Sequence, residues 1–380
     1  MDIATTLVHA GLDTNVTPKA SSVPIYQAST FPQPDPEHFG PYEYARSGNP
    51  TREALERAIA ALENGAYGLA FASGIASVAS TLMLFKPGDH IVACEDIYGG
   101  AYRLLASLFA RWGLKADFVD FTDPDRIRQA IRPETVALYA ETPSNPLLRI
   151  TDLAAVASLA RDRGLVSIVD NTFMTPYLQR PLDLGFDVSL HSATKFLGGH
   201  SDLVAGLAVT ASKQLGRKLK EIQNAFGAIL GPQDCWLALR GIRTLAVRMD
   251  AQQKTAGLLA GWLAKRPEVA RVHYPGLAGH PGGDVHARQA SGAGAVLSFE
   301  LGSPEAAKSF LRRARLPMLG VSLGGVESIL SYPATMSHAA MPPDEREKRG
   351  VTDALVRLSV GLESPDDLMD DLDRALGAAE

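Results

Sequence analysis

The polar and apolar positions of this chain fall into two textures. Residues 49–65, "NPTREALERAIAALENG", repeat apolar positions at helical spacing, with Leu55, Ile59 and Leu62 on one stripe. Asn49 is placed to cap that helix, Pro50 sits in its first turn, and Gly65 is expected to end it. Short, nearly continuous apolar runs follow, separated by helical patterns: "YGLAFAS", "HIVACED", "VALYAET", "LVSIVDN" and "DVSLHS". Such runs alternating with helices predict an α/β fold with a mostly parallel sheet covered on both faces. From about residue 247 helices dominate, with strands expected at "GAVLSFEL", "VESILSYP" and "LVRLSVGLE". This texture predicts a smaller α+β domain. Its last helix starts at Ser364, with Asp367 three positions on and Leu368, Leu372 and Leu376 on one face.

Ahead of both lies a stretch rich in Pro, Ser and Thr, "SSVPIYQASTFPQPDPEHFGPY". It predicts an extended arm rather than a domain. Ile25, Tyr26, Phe31, Phe39 and Tyr42 argue against a solvated tail, because disordered tails are poor in aromatics. The expected divisions are an arm over residues 1–47, a large domain over 48–246 and a C-terminal domain over 247–380.

Composition narrows the function. Of 380 residues, 46% are hydrophobic and 21% charged, the balance of a globular protein with substantial cores. The net charge of −5 and the scatter of the basic residues give no footprint for nucleic acid or an anionic membrane; Arg312 and Arg313 read as a solvated helix face. Two distant cysteines, Cys94 and Cys235, make neither a disulfide framework nor a metal pattern, so no metal is expected and a reducing, cytoplasmic setting is. The start, "MDIATTLVHAGLDT", carries an early acid and no long apolar run, so no signal peptide is expected; no segment has the length of a membrane helix.

In open parallel sheets ligands bind at the carboxyl ends of the strands. The residues there are Ser73 and Gly74, Glu95 through Tyr98, Asn145 a little beyond its strand, Asp170 and Asn171, and Ser192 through Lys195. "ASGIAS" ends a strand and opens a helix, where glycine lets backbone N–H groups approach an anion. It matches neither the Walker nor the dinucleotide pattern. Singly, each signal has a plain structural reading: a turn at Gly74, a turn-capping acid at Asp170, a snorkelling lysine at Lys195, a packed tyrosine at Tyr98. Together they are a phosphate cradle, an acid for a pyridinium nitrogen and a lysine for a Schiff base, the three things pyridoxal phosphate requires of a protein. Ser192 and Thr194 flank the lysine in "HSATKFLGGHSD" as further phosphate donors, and Tyr98 in "DIYGG" can stack on the ring. In "LVRLSVGLE", Val356, Leu358, Val360 and Leu362 share one strand face and Arg357 and Ser359 the other. Arg357 thus fits a carboxylate clamp in a cleft, or equally an edge-strand arginine facing water.

The motifs "YARSGNPT", "FASGIAS", "EDIYGG", "ETPSNP", "VDNTF", "HSATKFLGGHSD", "LGPQD", "SLGGVES", "MSHA" and "LVRLSVGLE" run in order from residue 44 to 363. In this the chain resembles the Cys/Met-metabolism family of pyridoxal-phosphate enzymes, with the aspartate-aminotransferase-like fold (fold type I). The stretches "QNAFGAILGPQDCWLALRG" and "SLGGVESILSYPATMSHAAMP" resemble its short bacterial cystathionine β-lyases; cystathionine γ-lyases and γ-synthases share most of the motifs. Gly100 stands where methionine γ-lyases usually carry cysteine, and the insertions of the longer sulfhydrylases are missing. The resemblance implies a carbon–sulfur lyase acting on a sulfur amino acid, with 48–246 as the cofactor-binding domain. It implies that Lys195 forms the Schiff base, Asp170 keeps the pyridine nitrogen protonated, and Gly74, Ile75, Ser192 and Thr194 cradle the phosphate. Tyr98 stacks on the ring and, like Lys195, can give a proton to the leaving sulfur. Asn145 orients the cofactor and the substrate carboxylate, Arg357 binds that carboxylate with help from Ser328, and Glu327 joins the substrate site. Tyr44 and Arg46 reach the phosphate of a neighbouring subunit, so a homodimer is the minimum unit and a homotetramer is expected. A fold retained without turnover, as a regulatory protein, is the rival reading; the lysine, aspartate and arginine together argue against it.

Overall fold

The structure, a computed structural model, describes residues 1–12, 20–339 and 341–377. Its larger sheet has seven strands: β1 Tyr67–Phe71, β2 His90–Cys94, β3 Lys115–Val119, β4 Thr135–Glu141, β5 Val166–Asp170, β6 Val188–Ser192 and β7 Gly206–Thr210. Their order is β1-β7-β6-β5-β4-β2-β3. Only β7 runs against the rest, antiparallel to both β1 and β6. All five expected strands are present. Two more, β3 and β7, escaped the reading. β3 is a half-buried edge strand with Lys115 and Asp117 in it, and β7 is a five-residue run that begins on glycine and follows a motif read for its chemistry.

Helices cover both faces. Pro50–Leu62 begins as expected, with the Asn49 side chain accepting from the backbone N–H of Thr51 and Arg52. Its stripe of Leu55, Ile59 and Leu62 packs on Leu207 and Val209 of β7 and on Ala238 and Ile242 of the helix Pro232–Ile242. Asn64, not Gly65, takes the left-handed backbone that ends it, at φ 56°. Gly65 has another role: a Cβ there would lie 2.4 Å from Val209 Cγ1. A second cluster joins Val78 and Leu82 of the helix Gly74–Leu82 to Ile91, Leu138, Ile168 and Leu190 of the sheet.

The smaller sheet has five strands: β8 Val269–His273, β9 Val296–Leu301, β10 Met318–Leu319, β11 Ile329–Ser331 and β12 Leu355–Ser359, ordered β10-β11-β12-β9-β8. Leu297, Phe299, Val356 and Leu358 pack on Phe310 and Leu311 of the helix Pro304–Arg313 and on Leu368 and Leu372 of the final helix Pro365–Leu376. The expected division at 246/247 falls inside one helix, Leu245–Leu263. That helix ties the two sheets together by side chains four residues apart. Arg248 donates to the carbonyls of Phe196 and Gly241, and Gln252 to those of Gly325 and Val360.

The arm departs from expectation at its start. Ile3–His9 is a short helix capped by Asp2, and its Leu7 is buried with Leu55 and Ile59. Residues 13–19 of the expected arm lie outside the described residues. Beyond them the arm has an isolated bridge, Thr30 to Tyr44, and leaves Phe39 and Tyr44 exposed.

Candidate active site

The carboxyl ends of β1, β2, β4, β5 and β6 open on one cavity of about 460 Å³, closed on its far side by residues of the smaller sheet. Its floor is tightly packed. Ser73 caps the helix Gly74–Leu82, accepting from Ala76 N, so the first backbone N–H groups of that helix, at Gly74 and Ile75, have no intrahelical acceptor. A Cβ on Gly74 would lie 2.8 Å from Ser192 Cβ, and one on Gly206 2.1 Å from the Ser73 carbonyl oxygen. Only glycine leaves this concave set of N–H donors open to a ligand.

Lys195 follows β6 on a tight turn, and its Nζ donates to Ser322 Oγ at 2.6 Å. Burial, helped by the nearby Arg357 guanidinium and opposed by Asp170, pulls its pKa down from the usual lysine value to about 8. Asp170 ends β5 with Oδ1 accepting from Thr172 N at 3.0 Å. Burial holds its carboxyl above the usual carboxylate range, although Thr172, His191 and Lys195 pull the other way. A carboxylate so placed gains most from a cationic partner. Tyr98 lines the cavity, and a Cβ on Gly100 would lie 2.4 Å from its ring, so the glycine that follows "YG" leaves the ring its room there.

Arg357 settles its own ambiguity. β12 lies between β11 and β9, so its arginine is not on an edge, and it is 3% exposed. Its guanidinium donates to Asn145 Oδ1 at 2.8 Å, to the Ser322 carbonyl oxygen at 2.6 Å and to Ser331 Oγ at 3.0 Å, while its Nε is buried with no partner among the described residues. Among the described residues no carboxylate forms an ion pair with it. A buried guanidinium with neutral partners only, pushed down to about 10 by desolvation, has an unmet need for an anion.

Two expected substrate residues are not in the cavity. Ser328 precedes β11; its N and Oγ bond to the Glu363 carboxylate and its Oγ accepts from Gly361 N. The serine beside Arg357 is instead Ser331, its register partner across β11 and β12. Glu327 accepts from Ser201 Oγ and does not line the cavity. Tyr44 and Arg46 also lie away from the cavity of their own chain. Arg46 donates to the Asn224 carbonyl oxygen at 2.7 Å, with its guanidinium carbon 5.6 Å from the Tyr44 ring centre. Thr194 lines the cavity, with its hydroxyl bonded to the Ala205 backbone.

Polar lining residues that the sequence reading missed include Ser322, Ser331, Arg103 and Glu141. Glu141 closes the apolar run "VALYAE", the same signal that marked Asp170. Ser331 and Ser322 become neighbours of Arg357 only through sheet register and a loop in which Ser322 takes φ 94°, and neither is written in a local pattern. Arg103 is exposed at the cavity with no ion-pair partner among the described residues, and nothing in its sequence neighbourhood sets it apart.

The model of the family described as Cys/Met metabolism PLP-dependent enzyme matches residues 4–377. The chain belongs to this family. As a family member it is a pyridoxal-phosphate enzyme of fold type I, a carbon–sulfur lyase by class. It is 56% identical over 374 residues to the cystathionine beta-lyase MetC of Bacillus subtilis (strain 168), covering 98% of this chain and 96% of that one. It is 48% identical over 372 residues to the cystathionine gamma-lyase of the same strain, covering 98% of each. The solved cystathionine gamma-lyase of Lactobacillus plantarum, complexed with L-serine, superposes with a TM-score of 0.96 at 46% identity over 99% of both chains. The cavity fits the family's cofactor: a glycine-lined N–H cradle, a carboxylate in need of a cation and a lysine held partly neutral face one space.

Proposed function

We propose that this chain cleaves L-cystathionine at the β-carbon to homocysteine, pyruvate and ammonia. The 56% identity to a cystathionine beta-lyase across both chains carries that choice. The cradle at Gly74 and Ile75 with the Ser192 and Thr194 side chains would hold the phosphate, Asp170 the ring nitrogen, Tyr98 the ring face and Asn145 its edge. Bound there, pyridoxal phosphate supplies an electron sink for the pair left at Cα when its proton departs.

The chain's own groups do the rest. Arg357 takes the substrate carboxylate, meeting the anion need of its guanidinium, and so orients the Cα–H bond. Lys195 Nζ, partly neutral near pH 8, removes the α-proton. The Cβ–S bond then breaks, and the sulfur takes a proton from the Tyr98 hydroxyl or from Lys195 Nζ. The three-carbon remainder takes up water and leaves as pyruvate and ammonia. Arg103, exposed at the cavity with no ion-pair partner among the described residues, suits the second carboxylate of a substrate with an amino acid head on each side of sulfur.

The 48% identity to a cystathionine gamma-lyase favours γ-cleavage as the second reading, and γ-synthesis draws on the same groups. Product analysis from L-cystathionine decides: pyruvate with homocysteine supports β-cleavage, and 2-oxobutyrate with cysteine overturns it. We further propose a cytoplasmic homo-oligomer, a dimer at least and a tetramer in full, with Tyr44 and Arg46 serving a neighbour's phosphate. Their surface position away from their own cavity supports this, as do two buried free cysteines for a reducing compartment. Among the described residues no helix is long and apolar enough to cross a membrane.

A further inference from the structure

Glu141 ends β4, and in the parallel register of β4 with β5 its partner is Asp170. Register partners point to the same side of a sheet, so two carboxyl groups stand together at the strand ends. The arrangement is costly, because burial and the Asp170 charge both push the Glu141 carboxyl well above the usual range. The geometry shows what offsets the cost. Glu141 Oε2 accepts from Tyr98 N at 2.6 Å, and Oε1 accepts from Asn145 N at 3.3 Å. Tyr98 lies on the loop after β2 and Asn145 on the loop after β4, so one side chain holds both loops. Farther from the sheet the loops are braced again, by Ser144 Oγ donating to Asp96 and by Arg149 Nη1 donating to Glu95 at 2.7 Å. Both oxygens of a carboxyl group can accept from backbone N–H donors at once, whereas an amide turns one donor group toward another.

We propose that Glu141 is a positioning residue: through the backbone it fixes Tyr98 over the cofactor ring, and Asn145 both at the ring edge and against Arg357. The inference rests on reading Tyr98 and Asn145 as cofactor neighbours. It accounts for a buried carboxyl group in the cavity wall, set in register with Asp170, whose two oxygens both accept from backbone N–H groups. Displacement of a reacting group by about 1 Å costs on the order of 100-fold in rate.

Glu141→Gln and Glu141→Ala holoenzymes test it through kcat and KM, the visible circular dichroism of the bound cofactor, and thermal unfolding. Glu141→Gln keeps one of the two bonds; kcat is expected to fall about tenfold, with KM nearly unchanged and a weakened cofactor band. Glu141→Ala is expected to lose about 100-fold in kcat and more of the band. A lower unfolding temperature with wild-type kcat and band in Glu141→Gln would make the role structural only and overturn the proposal. If Glu141→Ala does not fold, Glu141→Gln decides alone. Tyr98→Ala separates the premises: an unchanged cofactor band in that variant sinks the reading of Tyr98 itself, and with it the route by which Glu141 acts.

Discussion

The reactivity of Lys195 is open to a quantitative test in the apoprotein. An ordinary lysine near pKa 10.5 is neutral in about one molecule in three thousand at pH 7. Lowered to about 8, the Lys195 amine is neutral in about one in ten, a gain of roughly 300-fold in the form that attacks an aldehyde. The sign follows: covalent capture of added pyridoxal phosphate accelerates about tenfold per pH unit below 8 and levels off above it. Two neighbours set the midpoint in opposite directions. The Arg357 guanidinium favours loss of the proton, so Arg357→Met moves the midpoint up; the Asp170 carboxylate favours its retention, so Asp170→Asn moves it down. Stopped-flow absorbance of the lysine–cofactor bond from about pH 6 to about pH 10 reads all three. Ratios between variant and wild type remove the cofactor's own titration. A wild-type midpoint at an ordinary lysine value, or shifts of the same sign in both variants, would refute the assignment of burial and charge as the causes.

Other outcomes follow from packing and symmetry. Lys195→Ala is expected to lose turnover and the covalent cofactor signal while far-ultraviolet circular dichroism stays native; near-normal turnover with cofactor still reducible onto the chain would end the assignment. Arg46→Ala and Lys195→Ala, each nearly inactive, are expected to recover up to about one quarter of wild-type activity when mixed under subunit exchange, because a mixed dimer has one site without either defect; no recovery after demonstrated exchange rules out the shared site. Gly74→Ala places a methyl group 2.8 Å from Ser192 Cβ and is expected to weaken cofactor affinity at least tenfold, by equilibrium titration of the apoprotein, with only a small change in unfolding temperature. Leu372→Ala empties a fully buried position in the smaller core and is expected to cost about 3 kcal/mol in urea unfolding.

What could be read from the sequence was whatever the chain writes locally. Apolar runs ending in Asp170 or in the turn before Lys195, a capped helix at Asn49 and the alternation around Arg357 each need only a few neighbouring residues, and each took the expected place, except that Leu362 lies beyond β12 and is exposed. What depends on contacts between distant segments was not legible. Ser328 and Ser331 look alike in sequence, and only the register of β11 against β12 puts Ser331 beside Arg357 and turns Ser328 to Glu363. β7 runs antiparallel, which no apolar count reveals. Glu141 carried the right signal, and its role became visible once the Tyr98 and Asn145 loops were seen to converge on it.

The helix Leu245–Leu263 has a consequence for how the molecule comes apart. Arg248 holds the turn that bears Lys195, and one helical turn later Gln252 holds the Gly325 and Val360 carbonyls beside the strand that bears Arg357. The lysine and the arginine belong to different sheets, so a helix that frays at this point loosens both together. Neither half therefore keeps a working pocket while the other melts. In native-state hydrogen exchange the helix amides around Arg248 and Gln252, those of the Lys195 turn and those of β12 should respond to added denaturant as one cooperative unit.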